Sequence, residues 1–181
     1  GCISLIAEPC GSVYEALMVR EAPRRVMFLD PNIREIFIQD RQKHLARMMR
    51  MIALADIVKL SDEDLAWFAE PGEEHAVIRR WLALGPKLIV VTRGADGADA
   101  WTANFHLHVP GIRVTVADTV GAGDTVNAGI LASLSQAGLL EKPKLVTLSR
   151  EQVRRAVDLG MRAAAVTVSR PGANPPWDHE L

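Results

Sequence analysis

No run of apolar residues in this 181-residue chain approaches the roughly 20 that a membrane-spanning helix needs. Cysteine is nearly absent: Cys2 and Cys10 are too few and too far apart for a CxxC centre. With no secretory leader in view, they are expected to be reduced thiols in a soluble cytoplasmic protein. Neither sign of charge dominates, with 21 Lys and Arg against 22 Asp and Glu. The basic residues are scattered, which argues against nucleic acid or an anionic membrane as the main partner. Repeats and low-complexity tracts are missing as well, and glycine and proline sit at punctuation points. Two nucleotide signatures are lacking: there is no GxxxxGKS/T, and Gly121, Gly123 and Gly129 do not have GxGxxG spacing. A P-loop NTPase and an NAD-type Rossmann enzyme both lose support. What the length allows is a single α/β domain over 1–181 with a proper core.

The most informative stretch is Asp118-Thr119-Val120-Gly121-Ala122-Gly123-Asp124. Before it, Ile112, Val114 and Val116 alternate with Arg113 and Thr115, the period of a half-buried strand. After it, Val126, Ile130 and Leu134 recur at helical spacing, with Ala128, Gly129 and Ala132 between them, as in a helix packed closely on a sheet. The junction reads as strand, glycine turn, helix. Such a turn leaves the first helical amides bare, and these carry roughly half a positive charge, so an anion fits there. Asp124 has two readings on this evidence. One is an N-cap; the other is a base that takes the proton of a hydroxyl attacking a phosphoryl group held by those amides.

Along the rest of the chain, Ile3, Leu5 and Ile6 suggest a strand. Residues 12–20 suggest a helix with Val13, Leu17 and the stem of Arg20 on one side, ended by Pro23. The apolar run 25–30 predicts a buried parallel strand leading to Asp30-Pro31-Asn32-Ile33-Arg34. Open α/β sheets bind ligands at such carboxyl ends, although turn chemistry alone also accounts for these residues. A helix over 40–54 presents Leu45, Met48, Met49 and Ile52. Strand 56–60 runs into a helix opened by Ser61, with Asp64 three residues on as in a capping box. Pro71-Gly72 should break that helix, and 73–84 should form another with Val77, Ile78, Trp81 and Leu82 inward.

Strand 87–92 then meets the turn Arg93-Gly94-Ala95-Asp96-Gly97. Residues 98–109 suggest a hairpin in which Phe105, Leu107 and Val109 alternate with His106 and His108. Two histidines on one strand face could bind a metal, but the sequence shows no third ligand, and solvent-facing positions are the plainer account. Gly138 should end the helix after the turn, and Pro143 should lie in the loop that follows. Ser149 with Gln152 makes a capping box for a last helix carrying Val153, Val157 and Met161, then Ala163 to Ala165.

The run DTVGAGDTVNAG closely resembles the C-terminal signature of the ribokinase-like carbohydrate kinases of the PfkB family, which phosphorylate sugars with ATP. DPNIR, VTRGADG and RPGA occur in the family's order around it, and DPNIR resembles the element of fructokinases and 2-keto-3-deoxygluconate kinases. The resemblance implies a three-layer α/β/α sandwich with a mostly parallel sheet. It covers the C-terminal part of the family pattern, so the first βαβ units, the sugar-gripping residues and the β-sheet lid are expected to lie ahead of this stretch. Asp124 is implied as base, favouring that reading over the cap, with Gly121, Ala122 and Gly123 as the anion hole. Asn32 and Arg34 are implied beside the sugar. Thr92, Gly94, Gly97, Ser61 and Ala164 are implied around ATP. Asp64, or its neighbour Glu63, is implied to act on Mg2+ through water. Asp118, Val120, Arg170 and Ala173 are implied around a monovalent cation such as K+. Family members often dimerise through the lid, so a homodimer is a further expectation. A second reading is a truncated, non-catalytic remnant that still binds nucleotide.

Overall fold

The structure, a computed structural model, describes residues 2–69 and 72–181. They group into two compact units, one of Gly1–Val91 with Trp101–Ala103 and one of Thr92–Ala100 with Asn104–Leu181.

The first unit contains helices α1 (Cys2–Ile6), α2 (Cys10–Glu21), α3 (Arg41–Leu54), α4 (Asp62–Phe68) and α5 (Glu74–Leu84). Its strands are β1 (Phe28–Leu29), β2 (Ile57–Ser61) and β3 (Leu88–Thr92), adjacent in that order. Pairing of β1 with β2 is parallel, Phe28 against Ile57 and Leu29 against Val58. Ile57, Val58, Leu60 and Leu88 to Val91 are fully buried, as strands covered on both faces must be. Around them Met48, Ile52, Leu65, Ile78 and Trp81 close the core.

Three expectations change here. The N-terminal segment is the helix α1 rather than a strand; a short apolar run has no periodicity to separate the two, and only Leu5 of it is buried. In α2 the expected apolar side faces outward, with Val13 61% and Leu17 42% exposed. Its inward side is Gly11 and Met18. The reason is Arg47 of α3, whose guanidinium lies where a Gly11 side chain would stand. It donates to the Leu5 carbonyl at 2.6 Å, to Glu8 at 2.5 Å and to Glu15 at 3.1 Å. A buried guanidinium needs that many acceptors to offset its desolvation. The strand expected over 25–30 pairs only at Phe28 and Leu29, because the Met27 amide is taken by the Asp56 carboxylate at 2.8 Å. Of the expected break at Pro71-Gly72, Pro71 lies outside the described residues; α4 ends at Phe68 and Gly72 has φ +83°.

The second unit holds β4 (Ala98–Trp101), β5 (His106–Val109), α6 (Ala122–Gln136), α7 (Lys142–Leu145) and α8 (Arg150–Val168). β4 and β5 are neighbours joined by four residues, a link short enough only for an antiparallel hairpin. Leu107 and Val109 are buried while His106 and His108 face out, as the alternation predicts. Gly138, at φ +64°, ends α6, and Ser149 and Gln152 form their capping box on α8. Pro143 belongs to α7 rather than to a loop, in the first turn where its missing N–H costs nothing.

The expected strand over Ile112, Val114 and Val116 does not form. The three side chains are 38–58% exposed, and this stretch is irregular backbone tied in at Ala117, whose amide donates to the Val168 carbonyl at 2.7 Å. Alternation marks extended backbone, but a strand also needs a partner's ladder. Nor does Gly129 face a sheet. It packs α6 against α8, where a Cβ on Gly129 would stand 2.5 Å from the Gly160 Cα.

Candidate functional site

The turn at the start of α6 is built from the backbone outward. Gly121 is the N-cap residue, in the left-handed region at φ +80°, where a side chain is strained. Asp124 therefore is not the cap. It stands at the third helical position, exposed, and its carboxylate accepts no hydrogen bond from the described residues. Of the amides expected to bind an anion, that of Ala122 donates to the Thr119 carbonyl at 3.2 Å. Those of Gly121, Gly123 and Asp124 have no backbone partner among the described residues. The bare set is thus shifted from the expected trio, with Asp124 replacing Ala122.

A hydroxyl relay holds this turn in shape. Thr125, 7% exposed, donates to the Gly121 carbonyl at 2.8 Å and accepts from Thr167 of α8 at 3.0 Å. Neither threonine stood out in the sequence. The available signal was Gly129 with Gly160, which brings the two helices close enough for the pair to meet. Beneath the same helices a cavity of about 360 Å³ opens, lined by Thr125, Gly129, Ala132, Leu159, Ala163 and Pro176 among others. Ala163 faces it; Ala164 is buried and does not.

Asp118 ties the turn to the loop after α8. One carboxylate oxygen accepts from the Val120 amide at 3.0 Å and the other from the Gly172 amide at 2.9 Å. Those two amides, with Thr119's, hold its carboxyl below the usual carboxylate range. Gly172 has φ +70°, and Ala173 lies against Gly121, 3.2 Å from where its Cβ would be. Of the expected cation residues, Val120 thus bonds Asp118 directly, while Ala173 follows the bonded Gly172 and Arg170 precedes it by two. The side chain of Arg170 is bound to Glu180.

In the same unit, Thr92 to Gly97 form a tight turn with Gly94 at φ +53° and Gly97 at φ +102°. The Arg93 amide donates to the Gly97 carbonyl at 2.7 Å. A Cβ on Gly97 would meet the Val109 carbonyl at 2.1 Å, so only glycine fits where the hairpin crosses the turn.

The remaining expected residues lie in the first unit. Asn32 is its non-glycine residue at positive φ, 47°, a strained geometry of the kind stored at binding sites. Asp64 helps hold it there: one carboxylate oxygen accepts from the Ile33 amide at 2.8 Å, the other from the Ser61 amide at 3.4 Å in the predicted capping box. Asp64 is buried with both oxygens engaged, whereas Glu63 is exposed. Arg34 is exposed and bonds back to the Ile33 carbonyl at 2.8 Å. Below this loop Lys59, 4% exposed in the middle of β2, pairs with Asp30 at 3.2 Å.

Parallel strands whose ends carry strained loops, and a helix start with bare amides, mark an α/β protein open to anionic ligands. The chain belongs to the pfkB family of carbohydrate kinases, whose model matches residues 3–180. Among curated relatives, it is 53% identical over 158 residues to a fructokinase of Rhizobium leguminosarum bv. trifolii, covering 87% of this chain and 48% of that one. Among solved structures it resembles the fructokinase of Xylella fastidiosa with bound ATP, at TM-score 0.85 and 26% identity, covering 94% of this chain and 54% of that one. It also resembles a double mutant of the Vibrio cholerae O395 fructokinase in its fructose-, ADP- and potassium-bound form. There the TM-score is 0.79 and the identity 30%, over 94% of this chain and 53% of that one. The chain spans about half the length of the relatives it matches. The expected α/β, ribokinase-like fold is thereby established, and no helix among the described residues is long and apolar enough to cross a membrane.

Proposed function

We propose that this chain carries the phosphoryl-transfer residues of an ATP-dependent sugar kinase, with fructose as the acceptor to test first. The observation that carries the reading is the free, exposed carboxylate of Asp124 beside amides that have no partner among the described residues. In this reading the amides of Gly121, Gly123 and Asp124 bind the transferring phosphoryl group, with Ala122 shaping the turn. Asp124 accepts the proton of the sugar hydroxyl as its oxygen bonds to the γ-phosphorus and the bond to the ADP oxygen breaks. Developing negative charge on the phosphoryl oxygens meets donors that are already oriented, so little reorganisation is needed.

In the second unit Thr92, Gly94 and Gly97 are assigned to the ATP phosphates and ribose, and the cavity lined by Ala163, with Ala164 buried behind it, to the base; in the first unit Ser61 is assigned to ATP. Asn32 and Arg34 are assigned to the sugar, and the Asp64 bond to the Ile33 amide makes Asp64 a positioning residue for both. Glu63, exposed at the same helix start, fits a Mg2+-bound water better than the engaged Asp64 does. Mg2+, when bound with the nucleotide, supplies neutralising charge to the phosphates. The Asp118 carboxylate suits K+, because it already joins the two loops that carry Val120, Arg170 and Ala173, whose carbonyls would complete the set. The fructose- and potassium-bound relative supports both assignments.

Replacing a general base typically costs about 10²- to 10⁴-fold in rate. Asp124→Asn in the full protein should therefore lower the turnover of ATP with fructose by that factor and leave ATP binding by calorimetry within about twofold, since no phosphate-binding donor is removed. Full turnover in the variant would overturn the assignment. Sugar-independent ATP binding with no turnover in the parent, on fructose or on 2-keto-3-deoxygluconate, would favour the non-catalytic reading.

A further inference from the structure

Asp99, on β4, is claimed from two sides. One carboxylate oxygen accepts from Arg93 Nε at 2.8 Å; the other is 2.9 Å from His106 Nε2 and 3.2 Å from His108 Nδ1. The sequence offers two histidines on one face of β5, and the hairpin supplies the third member across the ladder. Among the described residues no group of three such side chains is disposed to hold a metal ion. The ion this cluster suits is the proton.

The cluster borders the Thr92 to Gly97 turn on two counts. Arg93 is a residue of that turn, and the end of β5 lies directly on it: a Cβ on Gly97 would meet the Val109 carbonyl at 2.1 Å, and one on Gly111 the Ala95 carbonyl at 2.1 Å. Turn and hairpin therefore cannot shift independently. We propose that Asp99 is a positioning residue for the nucleotide turn, holding Arg93 in place, and that His106 and His108 make this hold proton-linked. The proposal rests on reading Thr92 to Gly97 as a nucleotide-binding turn.

The charges decide the direction. Burial alone would raise the Asp99 carboxyl, but hydrogen bonds from Arg93, His106 and His108 more than offset it and keep Asp99 below the usual carboxylate range. Asp99 therefore stays anionic where imidazoles change charge, between about pH 5 and 8. With neutral imidazoles, one carboxylate faces one cation, Arg93. Protonated imidazoles add two cations beside the same carboxylate. Arg150 of α8, whose guanidinium donates to the His106 carbonyl at 2.8 Å, adds a third positive neighbour. Asp96, on the turn itself, is a further nearby acid in sequence and is exposed. The added positive charge weakens the hold of Asp99 on Arg93 and, with it, on the turn.

The test uses the full protein and two readouts. Backbone amide exchange at Gly94 to Gly97 should speed up by about three- to tenfold on going from pH 8 to pH 6, after correction for the intrinsic rate. That factor is the size of effect that partly exposed charges exert on one another. The acceleration should vanish in His106→Gln/His108→Gln, and Asp99→Asn should show the fast rate at both pH values. ATP affinity should show a pH dependence that the double histidine variant lacks. Exchange that responds equally to pH in parent and double variant would overturn the proposal, even if Asp99→Asn fails to fold. A proton-linked turn in a protein that binds no ATP would leave the cluster's role standing and sink the nucleotide reading instead.

Discussion

Gly129→Ala is the perturbation whose size the structure sets most directly. The added Cβ would stand 2.5 Å from the Gly160 Cα, 2.7 Å from its amide nitrogen and 3.1 Å from the Leu159 carbonyl carbon. All three are backbone atoms of α8, so no side chain can swing aside. Restoring ordinary contact near 3.5 Å requires the helices to part by about 1 Å. That loosens Ile130, Leu134, Val153, Ala156 and Val157, each at most 1% exposed. Overpacking of this kind costs about 1–3 kcal/mol, and a rigid backbone obstacle belongs near the upper end. Against it, alanine in a helix interior gains about 1 kcal/mol over glycine. The net is a loss of about 2 kcal/mol, or roughly 4–8 °C in Tm for a chain of this size. Thermal unfolding followed by circular dichroism measures it. A variant as stable as the parent, or more so, would mean that the helices are not in backbone contact at Gly129 and would refute the reasoning. A second consequence is local: parting the helices stretches the 3.0 Å bond between Thr167 and Thr125, so ATP affinity should weaken along with stability.

Thr125→Val keeps the volume but removes the donor to the Gly121 carbonyl. The carbonyl keeps its bond from the Thr125 amide at 2.9 Å, so the change should cost roughly 0.5–1.5 kcal/mol, the net worth of one hydrogen bond, and weaken ATP binding by calorimetry more than Thr125→Ser does. Asp30→Ala strands the buried ammonium of Lys59 and should destabilise by about 3–5 kcal/mol in urea unfolding, whereas Asp30→Leu with Lys59→Met should recover most of that. Glu8 is held down to about 2, chiefly by the Arg47 side-chain hydrogen bond, from an ordinary 4.5. A lowered acid stabilises above its unfolded value and loses that contribution as pH falls toward its folded one. The parent should therefore lose stability between about pH 4.5 and 2, and Glu8→Gln should lose less across that window in acid titrations read by fluorescence.

Much of the architecture was legible from periodicity and punctuation. Two capping boxes, Ser61 with Asp64 and Ser149 with Gln152, and the Gly138 stop are local devices whose chemistry is complete within four residues, so the chain spells them out. The glycine turn at 121–123 was readable for the same reason: positive φ and bare amides follow from what glycine lacks. The identity of the group facing those amides was half legible. Asp124 could be seen in the sequence as cap or base, and the helix register, which makes Gly121 the cap, excludes the first.

Two of the misreadings share one cause, since each concerned which surface meets which. Val13 and Leu17 recur at helical spacing, yet the inward face of α2 was decided by an arginine 32 residues beyond Glu15. Ile112, Val114 and Val116 alternate perfectly, yet a strand exists only when another backbone accepts its ladder. The bonds from Asp64 to Ile33, from Thr167 to Thr125 and from Asp99 to two histidines join residues from 7 to 42 positions apart. Local chemistry, written over a few consecutive residues, was settled by the sequence itself: helix caps, stops and the glycine turn at 121–123. Facing, burial and the partners of each charge were settled by tertiary structure, because desolvation and hydrogen bonding depend on distances in space that spacing along the chain does not encode.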